Sequence, residues 1–183
     1  MKLRKKVLTT ILSVAAASIL FSGCGVKVAT YGASSDNVNK LKTYNAKLNV
    51  NNFTATKSDS SIMCRMSDPI KTPNGETFEE YVENALIEEL KMAGLYSKDA
   101  KITLNGHLNE VNASSTPGSA NWEFSVKVSS SNGKSFTVIS KKDYSSSFMA
   151  HYACNDMAEA FRPAVQKLIS SIINHSEFKT LTK

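Results

Sequence analysis

The stretch Asn121-Trp-Glu-Phe-Ser-Val-Lys-Val-Ser-Ser-Ser-Asn-Gly-Lys-Ser-Phe-Thr-Val-Ile139 decides the fold. Trp122, Phe124, Val126 and Val128 alternate with Glu123, Ser125 and Lys127, the period of a strand covered on one face only. Asn132-Gly133 predicts a hairpin turn, because both residues tolerate positive φ, and Phe136, Val138 and Ile139 belong to the returning strand. A hairpin with one apolar and one polar face implies an antiparallel sheet that needs a covering layer.

Upstream, Ile102, Leu104, Gly106 and Leu108 alternate with Thr103, Asn105, His107 and Asn109, which predicts a third strand, followed by a flexible stretch from Ala113 to Ala120. Before it stands a helix. Thr77 and Glu80 have capping-box spacing, Phe78, Tyr81, Val82, Ala85, Leu86 and Leu90 recur at helical intervals, and Gly94 supplies a left-handed C-terminal position. Glu79, Glu83, Glu88 and Lys91 are expected to line its solvated side. A first strand begins near Tyr44, where Tyr44, Ala46, Leu48 and Val50 alternate with polar residues, and Lys57 to Gly75 reads as a polar loop holding Cys64. Downstream, Met157, Phe161, Val165, Leu168, Ile172 and Ile173 form the stripe of a second helix from about Cys154 to Ser176. Asn155 or a nearby serine is expected to cap it and Pro163 to bend it, with Phe178 and Leu181 tucking the tail back. The expected fold is therefore α+β, a two-layer sandwich. A four-stranded, mainly antiparallel sheet carries two helices on one face in the order β-α-β-β-β-α.

The N-terminus reads differently. Lys2, Arg4, Lys5 and Lys6 precede an apolar run from Val7 to Phe21, and small residues follow, the three parts of an export signal. The run is shorter than the ~20 apolar residues that a transmembrane helix needs. Phe21-Ser22-Gly23-Cys24 resembles a lipobox, with Phe21 where leucine is usual, so the mature chain is expected to begin at a lipidated Cys24. The alternative is an ordinary secreted protein in which Cys24 is a bystander. Residues 1–23 are thus assigned to the signal, 24–43, rich in Ser, Gly, Asn and Lys, to a flexible tether in which a short strand such as Val26 to Ala29 can form, and 44–183 to one domain. The signal holds four basic and no acidic side chains, so the formal charge of +6 drops to +2 in the mature chain. That balance offers no argument for a nucleic-acid partner. With Cys24 lipidated, Cys64 and Cys154 remain, an even pair in a compartment that permits disulfides, and they are expected to pair.

Chemistry is sparse. The chain has no Gly-x-Ser-x-Gly, no phosphate-cradling glycine loop and no HExxH, and His107, His151 and His175 lie far apart in sequence. Neither a cofactor nor a metal is expected, and no catalytic residue is assigned. Two surfaces suit a partner. One is the polar sheet face presenting Thr103, Asn105, His107, Ser125 and Lys127 together; the other is a free strand edge, which Lys141, Lys142 and Asp143 equally serve to block. A third possibility is a greasy groove lined by Phe78, Tyr81, Trp122, Phe124, Phe136 and Phe161 that holds an acyl chain, although aromatics at these spacings also make an ordinary core.

The helix ending at Leu90 to Gly94, the Leu104-Asn105 pair on a strand, the turn at Asn132-Gly133-Lys134 and the closing helix from Asn155 to Phe178 resemble small Gram-negative outer-membrane lipoproteins of the YajG type. The element order also resembles auxiliary lipoproteins of envelope transport and lipopolysaccharide assembly. The resemblance implies partner binding without chemistry. The expectation is a lipid-anchored, non-enzymatic accessory module of the envelope that binds another envelope protein, with a carrier of lipid or another small hydrophobic ligand as the alternative and a hydrolase less favoured. Gly25 stands where an inner-membrane lipoprotein of enteric bacteria usually carries aspartate, which points to the outer membrane, facing the periplasm.

Overall fold

The computed structural model describes residues 25–183; the signal and Cys24 lie outside the described residues. The predicted hairpin is the spine of the larger sheet. β6 (Ile102–Ser114), β7 (Asn121–Ser130) and β8 (Ser135–Asp143) pair antiparallel in order, with Trp122, Phe124, Val126 and Val128 buried. At the turn only Gly133 adopts positive φ, 83°, while the Asn132 side chain accepts the Lys134 N–H at 3.0 Å. β6 enters only the first two residues of the expected flexible stretch, ending at Ser114, and a register shift between Leu108 and Glu110 keeps Val111 and Ala113 paired with β7; residues 115–120 are loop.

Two features correct the expected sheet. The first strand is split into β2 (Leu48–Val50) and β3 (Thr54–Ala55), and both pair with β6 in parallel, giving a mixed five-stranded sheet. Parallel pairing follows from the connection: the chain leaves β3 and returns to β6 through the long helix α2 (Phe78–Met92), a crossover rather than a hairpin. The polar loop of 57–75 is also partly a hairpin. β4 (Ser61–Cys64) and β5 (Asp68–Lys71) pair antiparallel around Arg65 and Met66, both at positive φ (46° and 53°). Such a turn favours Asn-Gly, and Arg-Met announces nothing of the kind.

The segment assigned to a tether is packed instead. β1 (Val26–Lys27) pairs in parallel with β5 to make a separate three-stranded sheet, and α1 (Ser35–Leu41) lies against the helices. Val28, Tyr31, Val38 and Leu41 are buried. What seats this polar stretch is one carboxylate. Glu89, fully buried on α2, accepts through Oε1 from the Tyr31 hydroxyl at 2.6 Å, the Ser34 N–H at 2.9 Å and Asn37 Nδ2 at 3.1 Å. Burial and that bond hold the Tyr31 hydroxyl far above the ordinary phenol range.

Helix α2 follows the sequence closely. Thr77 accepts the Glu80 N–H while Glu80 accepts the Thr77 N–H, closing the capping box. At the other end, the Leu95 N–H reaches the Leu90 carbonyl and the Gly94 N–H that of Lys91, a Schellman closure with Gly94 at φ 74°. Of the residues expected on its solvated side, Glu79 is buried instead, bonded to Ser58; Glu89, not among them, is buried beneath the N-terminal segment. α3 (Ala150–Ile173) starts four residues before Cys154, without a side-chain cap, and continues through Pro163 as one helix. α4 (Phe178–Leu181) returns Phe178 and Leu181 to the core as expected.

Phe53, between β2 and β3, lies flat over Gly106. A Cβ built on Gly106 would stand 2.2 Å from the Phe53 ring. Gly106→Ala is therefore expected to lower stability by about 1–3 kcal/mol through overpacking, read from the denaturant midpoint. Restoring stability with Phe53→Leu in the same chain would locate the clash at that ring.

Candidate functional site

The register brings the predicted partner surface together. His107 lies opposite Lys127, Glu110 opposite Ser125, and Asn49 beside Thr103, so Thr103, Asn105, His107, Ser125 and Lys127 share the sheet face turned away from α2 and α3. Most of them already have partners on that face. The His107 ring sits between two hydroxyls, with Nδ1 2.7 Å from Thr54 Oγ1 and Nε2 3.2 Å from Thr56 Oγ1. Asn105 Oδ1 accepts from Asn51 at 2.9 Å and Ser125 Oγ from Asn109 at 3.1 Å. Both ring nitrogens of His107 thus have a hydroxyl partner. The face offers shallow polar contact.

β8 forms one edge of this sheet. Its C-terminal end carries the Lys141–Asp143 ion pair at 3.9 Å, and Lys167 donates to the Lys141 carbonyl at 2.6 Å. That stretch of the edge is guarded against an added strand.

Five of the six aromatics proposed for a groove pack on one another, and Phe136 packs apart from them. Phe78, Tyr81, Trp122, Phe124, Phe136 and Phe161 are all buried. Phe161 stands at the centre, its ring 4.8 Å from Trp122, 4.9 Å from Tyr81, 5.6 Å from Phe78 and 6.1 Å from Phe124. Trp122 Nε1 donates to the Met157 carbonyl at 2.8 Å. Phe136 stacks on His175 at 4.1 Å. This set is core, which corrects the groove expectation.

Of the six, Phe78 also borders open space. A cleft of about 380 Å³ runs between β4 and β6, lined by Lys57, Asp59, Met63, Leu108, Glu110 and Val111. A second, of about 440 Å³, is acidic and includes Glu76, Glu79, Glu80 and Glu83 at the start of α2. Glu83 accepts the Phe53 N–H at 2.6 Å, and Glu76 accepts from Asn84 at 3.0 Å. Burial raises the carboxyls of both residues above their ordinary range despite these bonds, so each favours the unfolded chain as pH climbs from the ordinary carboxylate value through the raised one. Among the described residues no group of three or more His, Cys, Asp or Glu is arranged to hold a metal ion.

The disulfide end is the most constructed part of the surface. Cys64, closing β4, is bonded to Cys154 in α3 with Cα atoms 5.7 Å apart. Beside it the Arg65 guanidinium donates to the carbonyls of Phe148 (2.7 Å), Ser147 (2.9 Å) and Ser115, and to Ser115 Oγ at 3.3 Å. Asp156 accepts from both the backbone and the hydroxyl of Ser147, at 2.8 and 2.7 Å. The Tyr144 hydroxyl, pushed up to about 12 by burial, donates to the Ser114 carbonyl at 2.9 Å. Three loops are thereby locked into one platform. Sequence reading found the two cysteines and missed Arg65, whose role depends on four acceptors distant in sequence.

The first described residue belongs to the same end. Gly25 packs against β5 so closely that a Cβ there would stand 2.6 Å from the Pro69 carbonyl oxygen. A packing demand thus favours glycine at this position, independently of any sorting signal.

Comparison with known proteins adds little to this geometry. No family model matches the chain, and no curated protein matches it. Among solved structures, the crystal structure of protein XCC0632 from Xanthomonas campestris, described under DUF330, is similar over 81% of this chain and 90% of that one. The identity is 11% and the TM-score 0.43. The functional reading therefore rests on this chain's own residues.

Proposed function

We propose that the protein is a lipid-anchored accessory module of the bacterial cell envelope, acting through protein contact in assembly or transport. Its address would be the outer membrane, facing the periplasm. The observation that carries the reading is the N-terminal pattern ending in Phe21-Ser22-Gly23-Cys24. Support comes from the Cys64–Cys154 bond, which belongs in an oxidising compartment. No helix among the described residues is long and apolar enough to cross a membrane, so in this reading the acyl chains on Cys24 are the anchor. Gly25 agrees with outer-membrane sorting, though its packing against Pro69 is a reason of its own.

Contact rather than chemistry is favoured because Asn105, His107 and Ser125 on the sheet face already bond to neighbouring side chains and Phe78, Tyr81, Trp122, Phe124, Phe136 and Phe161 are buried. The test is to express the full chain with its own leader, crosslink it in intact cells, and identify copurifying proteins and lipids by mass spectrometry. A specific envelope protein without enriched lipid is expected; a stoichiometric lipid would overturn the adaptor reading in favour of a carrier. Cys24→Ala is expected to shift the protein from the membrane pellet to the soluble periplasmic fraction, still folded. Retention in the pellet after washing would sink the anchor.

A further inference from the structure

Large apolar side chains rarely stand in water without purpose when they gather at one place. Met66 at the β4–β5 turn is 95% exposed and Phe148, ahead of α3, is 88% exposed. Met149 and Tyr152 are exposed beside Phe148, and Met63 on β4 stands three residues before Met66. Sequence separates Met63 and Met66 from Phe148, Met149 and Tyr152 by more than eighty positions. The disulfide and the Arg65 bonds to the Ser147 and Phe148 carbonyls bring them to the same end of the molecule. Met66 also holds a left-handed backbone, φ 53°, at the tip of the turn.

The N-terminal chain emerges at this very end. β1 and β5 run parallel with Val26 paired to Ile70, and Gly25 lies against Pro69, one residue from Asp68, which pairs with Cys64 at the turn. Cys24 is the next residue. The described chain is already packed at Gly25, so a lipid carried by the residue before it would start next to the domain.

We infer that Met66, Phe148, Met149 and Tyr152 form a membrane-docking face that seats the domain directly on the phospholipid surface holding its acyl anchor. The inference rests on the proposed lipidation of Cys24. The chemistry suits an interface: methionine and phenylalanine side chains enter the boundary between headgroups and acyl chains, and tyrosine favours the same depth. The Arg65 clamp and the disulfide keep these side chains on a firm platform, so little ordering is lost on contact. The polar sheet face with His107 and Lys127 lies away from the helices and stays open to a periplasmic partner.

The test uses the full-length protein purified with its anchor and reconstituted into phosphatidylethanolamine and phosphatidylglycerol vesicles doped with a diazirine-bearing phospholipid. After illumination, lipid adducts are mapped by peptide mass spectrometry. Peptides holding Met63 to Met66 and Phe148 to Tyr152 are expected to be labelled at least about fivefold above those of the β7 face. Met66→Ser with Phe148→Ser should remove that excess without shifting the melting temperature, since both side chains lie in solvent. Equal labelling of all faces overturns the proposal, as does labelling confined to the N-terminal lipopeptide. It is likewise overturned if those two peptides stay unlabelled by lipid while a crosslinker at the same positions captures a protein in cells. Intact mass reads lipidation separately. An unacylated protein whose two peptides still label in vesicles would reject the anchor and keep the face.

Discussion

Cys64→Ser and Cys154→Ser are each expected to destabilise the protein by about 4–5 kcal/mol, the chain-entropy value for a closed loop of this length. The bond joins residues separated by 90 positions. For a chain of this size the loss lowers the melting temperature by roughly 10 °C or more. The two single variants should agree, and the double variant should be no worse than either, because the same cross-link is lost each time. Wild type under a reductant should fall to the same midpoint. Unequal single variants with an additive double would mean that each sulfur acts separately. The functional stake is the platform: losing the bond frees the β4–β5 turn from α3 and leaves Arg65 alone to hold Met66 beside Phe148.

Phe161→Ala carries the second large effect, expected at about 3–5 kcal/mol from the denaturant midpoint. The ring is fully buried and touches Phe78, Tyr81, Trp122 and Phe124, so truncation opens a void among four other rings. Edge-to-face pairs add to the loss at about 0.5–1.5 kcal/mol each beyond burial. The same variant separates core from carrier. If these rings lined a ligand groove, enlarging it would cost little stability and change what copurifies. A loss below about 1 kcal/mol would reject the core assignment.

What was legible in the sequence was whatever depends on near neighbours. The Thr77–Glu80 capping box, Gly94 and the alternation through Trp122 to Val138 are local signals, and the structure keeps each of them. The pairing of Cys64 with Cys154 was legible because only two cysteines remained once Cys24 was set aside. The parallel placement of β2 and β3 was not, since strand direction is decided by the route of the chain rather than by side-chain period. The β4–β5 hairpin hid behind Pro69 within a strand and a turn of Arg65 and Met66 instead of Asn-Gly. The packed N-terminal segment hid most fully. Beyond the short strand at Val26, its apolar residues Tyr31, Val38 and Leu41 show no sustained period, and the carboxylate that Tyr31 bonds is Glu89, more than fifty residues on. Among the partner-surface residues, the shared face was readable from alternation, but the hydroxyls flanking His107 come from β3 and the residue after it, whose pairing was not.

That seat for the N-terminal segment has a temporal side. Asn37 donates to the Gln166 carbonyl, Gln166 donates to the Gly32 carbonyl, and the Tyr44 hydroxyl to that of Ile173. In a chain threaded N-terminus first through an export channel, the residues that arrive earliest are the ones whose berths are completed last. Under the proposed lipidation of Cys24, the segment behind it would lack its α3 contacts until that helix emerges, so the processing enzymes would meet it before those bonds form. The domain closes over that segment only when the final helix is delivered.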